Sequence, residues 1–139
     1  MADAKAANPG FAGKTVCVAA AFNGQYGGYT RGDGRVQFME ALGFTNSPKI
    51  EDLKPASFYA AVAKEKVALL DADLTIIFGL GAGAELKKDA VLNSIPSAKA
   101  GRLLIIDDAD LVNAFSTNSV LSTPYTIAKF VPLVQSALK

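Results

Sequence analysis

Histidine and tryptophan are absent from this chain, and cysteine occurs once. Without histidine there is no common general base, no usual transition-metal ligand and no histidine-based triad, so metalloenzyme and serine-hydrolase chemistries fall away. Cys17 sits in the apolar run Thr15 to Ala21, where a buried inert thiol is expected, and a lone cysteine forms no internal disulfide. Charge of one sign is missing too: 14 Lys and Arg face 13 Asp and Glu, a net +1. That balance excludes the basic footprint of a nucleic-acid binder. No apolar run approaches the roughly 20 residues a membrane-spanning helix needs. Met1 to Asn8 is alanine-rich and mixed in charge, unlike a signal sequence.

What remains is a chain of 139 residues, half of them hydrophobic. That length suits one domain, able to bury about two-thirds of the surface its unfolded form exposes. Short, unalternating apolar runs recur at Thr15 to Ala21, Leu74 to Phe78 and Leu103 to Ile106, the pattern of strands covered on both faces. Helical candidates fall between them. Arg35 to Leu42 stops at Gly43, a second segment ends at Leu70, a third spans Ala84 to Leu92, and the last begins at Thr123-Pro124 and carries Pro132. A short extra strand near Lys49 or Ile50 is also allowed. Strands alternating with helices predict an α/β three-layer sandwich around a mainly parallel central sheet.

Right-handed crossovers bring the carboxyl ends of parallel strands to one sheet edge, where α/β ligands usually bind. Three segments are expected to meet there: Phe22 to Gly34, Gly79 to Gly83, and Asp107 to Ser122. The first holds five of the 12 glycines together with Tyr26, Tyr29 and Arg31. Glycine permits sharp turns, tyrosine offers a flat face with a polar tip, and arginine a fork of donors for anionic oxygens. Phe22, Tyr26, Tyr29, Arg31, Leu80, Ser116 and Asn118 are the candidate ligand contacts on these segments. Arg35 and Arg102 read as structural or solvent-facing, and Glu65, between Lys64 and Lys66, as a solvated helix charge. The aspartates Asp71, Asp73, Asp107, Asp108 and Asp110 read as turn and cap residues, not as a metal site.

Gly79 to Ala84 follows a strand, opens a helix and fits the loose form of the dinucleotide fingerprint, with Asp107 at the end of the next strand as a candidate ribose ligand. A Rossmann-like enzyme domain is therefore the alternative. Against it, the motif lies mid-chain and the acidic residue comes later than the fingerprint's usual spacing.

Taken in order, Asn8-Pro9, Gly13 to Val16, the aromatic glycine segment and Asp33-Gly34-Arg35 with its helix to Gly43 resemble the carboxyl-terminal lobe of iron-siderophore substrate-binding proteins of ABC importers. Lys64 to Leu74, Ile95 to Arg102, Ser116 to Ser122 and Pro124-Tyr125 resemble later parts of the same lobe. The resemblance implies one lobe of a bilobal fold, with residues 1–12 as the end of an inter-lobe helix and residues 13–139 as the ligand-binding lobe. It implies no catalysis and no cofactor. The implied ligand is a ferric siderophore or related iron chelate, caught outside the membrane by a periplasmic protein or lipoprotein. The implied partners are an amino-terminal lobe and an ABC permease, docked through Glu65. Iron would arrive already held by its chelator, so no protein ligand to the metal is implied.

Overall fold

The computed structural model describes residues 2–22, 25–53, 59–79, 83–90, 92–117 and 123–138. The helices are α1 (Ala2–Ala7), α2 (Gly34–Ala41), α3 (Pro48–Glu51), α4 (Gly83–Lys88), α5 (Pro96–Lys99), α6 (Ala109–Thr117) and α7 (Thr123–Ala137). The strands are β1 (Thr15–Phe22), β2 (Gln25–Tyr29), β3 (Thr45–Asn46), β4 (Tyr59–Val62), β5 (Leu74–Phe78) and β6 (Leu103–Ile106). Tight 3-10 turns occupy Pro9–Phe11, Lys64–Leu70 and Leu92–Ser94.

The six strands form one sheet in the order β4-β2-β1-β5-β6, with β3 paired to the start of β1. The pairs β1–β3, β1–β5 and β5–β6 are parallel, whereas β2 is antiparallel to both β1 and β4. Every residue of β5 is buried, as expected of a central strand covered on both faces. One apolar layer joins Val16, Val18, Ile76 and Phe78 to Phe38 of α2, Leu111 of α6 and Phe130 of α7. The opposite layer joins Cys17, Ala19 and Ile77 to Ile50, Leu70, Leu86, Leu92 and Ile95. The expected α/β sandwich is thus present.

Four local expectations are corrected. The segment from Phe22 to Gly34 is not one long loop, because Gln25–Tyr29 returns as β2. Its glycines serve close packing: a Cβ on Gly27 would fall inside the Tyr59 ring, and one on Gly28 would meet Ile50 Cδ1 at 2.8 Å. The extra strand lies at Thr45–Asn46, while Lys49 and Ile50 sit in the helical turn α3. The helical segment ending at Leu70 is a 3-10 turn over Lys64–Leu70, and the helix expected to reach Leu92 stops at Lys88. By contrast α2 begins where Asp33 caps it and closes at the Leu42 cap just before Gly43, whose φ of 115° favours glycine.

Candidate functional site

The hairpin register decides where the candidate contacts fall. Ala19 pairs with Gly28 and Phe22 with Gln25, so β2 starts beside the carboxyl end of β1 and runs away from it. Tyr29 therefore lies beside Val18 at mid-sheet, and Arg31 continues toward the amino end of β1. There the Arg31 backbone N–H donates to Glu51 Oε2 at 3.2 Å, and its guanidinium pairs with Glu40 at 3.3 Å while remaining 68% exposed. Phe22 ends β1, Gly79 follows β5 and Ser116 lies in α6. Leu80 and Asn118 lie outside the described residues. Among the described residues of the three segments, Tyr29 and Arg31 thus sit away from the edge reached by Phe22 and Gly79.

Around Tyr29 the chain builds an aromatic and cationic wall. The Arg35 guanidinium carbon lies 4.3 Å from the Tyr29 ring centroid. The Asp33 carboxylate fixes that guanidinium, accepting from Arg35 Nη1 at 2.8 and 3.0 Å. It also accepts the Arg35 backbone N–H at 2.8 Å, so one residue caps α2 and aims the arginine. On the far side Tyr59 tilts against Tyr29, with ring centroids 5.2 Å apart. Tyr59 can lie there because Gly27 beneath it has no side chain. Burial raises the pKa of both tyrosines, so their phenols stay protonated through neutral pH.

Tyr29 was legible as a candidate; Tyr59 and Arg35 were not. Arg35 reads from sequence as a surface or structural charge, yet its side chain is only 23% exposed and lies across an aromatic face. The available signal was its place two residues after a capping aspartate and six after Tyr29. Tyr59 carried no signal, because its partner Gly27 is distant in sequence.

Tyr26 changes role. It is 3% exposed, and its hydroxyl donates to Asp89 Oδ2 at 2.7 Å. Burial, with the acidic partner adding to it, raises its pKa. A ring so enclosed positions the hairpin and offers no free face. Cys17 is wholly buried, and burial pushes its thiol up to about 12, as expected of an inert core residue. Glu65 is exposed in the first turn of Lys64–Leu70, with the exposed Lys66 beside it. Of the motif Gly79 to Ala84, residues 80–82 lie outside the described residues, while Gly79 follows β5 and Gly83 and Ala84 lie in α4. Among the described residues no group of three acidic or cysteine side chains is placed to hold a metal ion.

No protein-family model and no curated protein sequence matches the chain. Solved structures do. The chain is similar to PiaA of Streptococcus pneumoniae TIGR4 in complex with ferrichrome, at 25% identity and a TM-score of 0.80 over 98% of this chain and 48% of that one. A second PiaA structure, described as an iron uptake ABC transporter substrate-binding protein, gives 26% identity and a TM-score of 0.76 over 98% and 46%. FhuD2 of Staphylococcus aureus with bound ferrioxamine B gives a TM-score of 0.75 over 99% and 54%, and at 16% identity the likeness is one of fold alone. The chain spans about half the length of each.

Proposed function

We propose that this chain, whose fold is that of one lobe of the iron-siderophore substrate-binding proteins of ABC importers, is the carboxyl-terminal ligand-binding lobe of such a protein. The observation that carries the reading is the match to ferrichrome-bound PiaA along nearly the whole chain. The wall of Tyr29, Tyr59 and Arg35 supplies chemistry that suits the ligand. Ferric chelates present anionic metal-bound oxygens on a broad surface, and a fixed guanidinium beside two tyrosines meets both features. Arg31 adds a rim cation. Phe22, Leu80, Ser116 and Asn118 are proposed as further contacts, while Tyr26 holds the hairpin from inside. The ligand brings its own iron, so the lobe performs no reaction and needs no cofactor.

The remaining parts follow from this reading. Residues 1–12, with α1 resting through Ala4 on the core and Asn8 accepting from Gln135 Nε2 at 2.6 Å, are proposed as the end of the inter-lobe helix. Glu65, exposed on the outer turn, is proposed to dock on basic residues of the permease. The parent protein would work outside the cytoplasmic membrane. Among the described residues no helix is long and apolar enough to cross a membrane.

The test is an amide NMR titration of the chain with gallium-loaded ferrichrome and ferrioxamine B, run beside NAD. Shifts centred on Tyr29, Arg31, Arg35 and Tyr59 with either chelate are expected. Shifts centred on Gly79, Gly83 and Asp107 with NAD would replace the reading with a Rossmann-like enzyme domain.

A further inference from the structure

We infer that β6 is a self-complementary edge through which two copies of this chain pair antiparallel, joining their sheets into one. Within the described sheet β6 is an end strand, paired with β5 alone. Its residues Leu103, Leu104, Ile105 and Ile106 are all apolar, and the first three are only partly buried. Edge strands are normally blunted by shortness, a charge, a proline or a bulge; β6 has 4 residues but carries neither charge nor proline.

The hydrogen-bond phase shows which backbone groups face outward. Thr75 N–H donates to the Arg102 carbonyl at 3.0 Å and Gly79 N–H to the Ile106 carbonyl at 2.9 Å. Residues 102, 104 and 106 therefore turn their backbone groups toward β5, and Leu103 and Ile105 turn theirs away from it. In an antiparallel pair centred on Ile105, each Ile105 exchanges two hydrogen bonds with its copy, and Leu103 faces Asp107 of the other copy. Arg102 then meets Asp108 on the same face of the joined sheet.

The charges at the strand ends select this partner and orientation. A cation precedes β6 and two carboxylates follow it, so a parallel neighbour would set like against like, and an antiparallel copy sets opposite charges together at both ends. Arg102 Nε is buried with no hydrogen-bond partner among the described residues. Both apolar layers also continue across the pair, since Leu104 packs with one core layer and Leu103 and Ile105 with the other. Beside the edge lies a hollow of about 330 Å³ between Ile106, Leu111 and the α7 residues Tyr125, Lys129 and Leu133. Tyr125 and Leu133 are 39% and 40% exposed there, an apolar rim against which a second copy can rest.

Sedimentation velocity over a concentration series of the 139-residue chain tests the inference. A reversible monomer–dimer equilibrium is expected. Ile105→Pro removes an outward donor without touching the bonds to β5, and should leave a monomer whose far-ultraviolet circular dichroism is unchanged. Arg102→Glu and Asp108→Lys should each weaken the dimer about tenfold or more by placing like charges together. Mixing those two variants in equal amounts should restore it, because both cross-pairs in the mixed dimer are then opposite in sign; a folding defect would not be repaired by mixing. A chain that stays monomeric at every concentration overturns the inference. So does a dimer that none of the three substitutions weakens, which would lie on another surface.

Discussion

Gly27 and Tyr59 show how one missing side chain shapes the proposed binding wall. Because the Tyr59 ring occupies the place of a Cβ at Gly27, Gly27→Ala must push that ring off Tyr29. The atoms displaced are the far end of a side chain, so the expected stability loss is about 1 kcal/mol, at the low end for overpacking. The ring geometry should change far more. With no tryptophan and 4 tyrosines, the near-ultraviolet circular dichroism reports tyrosine packing directly, and a reduced tyrosine band is expected with little change in the urea midpoint. An unchanged band would mean the ring does not rest on Gly27. At this scale Tyr29 was legible, since an aromatic in a glycine-rich cationic stretch stands out by type. Arg35 and Tyr59 were not, because a guanidinium on a ring and a ring on a glycine are contacts across β2, β4 and α2 that residue type does not encode. Cys17 gives a second residue-scale expectation. Its unfolded thiol ionises near the ordinary 9.0, whereas burial holds the folded one protonated to about 12. Above pH 9 the unfolded chain binds fewer protons, so this contribution is complete below pH 9 and is lost as pH rises toward 12. Tyr26, Tyr29 and Tyr59 shift in the same direction and add to the alkaline loss. Urea melts across this range should therefore show a shallower decline for Cys17→Ala than for the natural chain, and equal slopes would remove the thiol from the account.

Among the elements, β1, β5 and β6 were legible because a strand covered on both faces must be continuously apolar, whatever surrounds it. The strip formed by β2 and β4 was hidden for the opposite reason. Gln25–Tyr29 and Tyr59–Val62 are rich in glycine and alanine, and they become strands because the alanines of β1 and the side chains of Ile50 and Tyr59 fit closely over them. Local propensity favours a turn there; tertiary pairing overrides it. This hidden strip moves Tyr29 and Arg31 away from the carboxyl edge and into a wall with Tyr59 and Arg35. The strip is tied to the rest of the fold by Tyr26, whose hydroxyl donates to Asp89 while the same carboxylate accepts the Leu92 backbone N–H at 3.2 Å. Tyr26→Phe keeps the ring and removes that link. The expected cost is about 1.5 kcal/mol, as for a hydrogen bond to a charged group, seen as a lower urea midpoint with unchanged m-value. Faster amide exchange in β2 should accompany it. A variant as stable as the natural chain would show that packing alone holds the hairpin.

For the whole molecule, the decisive quantity is that the chain spans about half the length of the proteins it matches. A ligand held between two lobes draws its affinity from both walls and from the exclusion of water between them. One wall alone forfeits the contacts of the other and leaves the Arg35 guanidinium facing solvent of high dielectric, where its attraction for an anionic chelate is weakest. The isolated chain should therefore bind gallium ferrichrome at least about a hundredfold more weakly than a two-lobed protein that includes it, since the loss of a few kcal/mol of contact is enough for that factor. Isothermal titration of the two forms side by side measures the ratio. Arg35→Gln should then weaken binding in both forms, because it removes the cation while keeping a polar side chain, whereas Glu65→Lys should leave binding unchanged in both and slow import only where a permease is present. Glu65 is exposed on the Lys64–Leu70 turn and Arg35 lies across Tyr29, so the two substitutions separate the proposed docking role from the proposed capture role. If Glu65→Lys weakened chelate affinity instead, that turn would belong to the ligand site and the proposed division of roles between the two residues would fail.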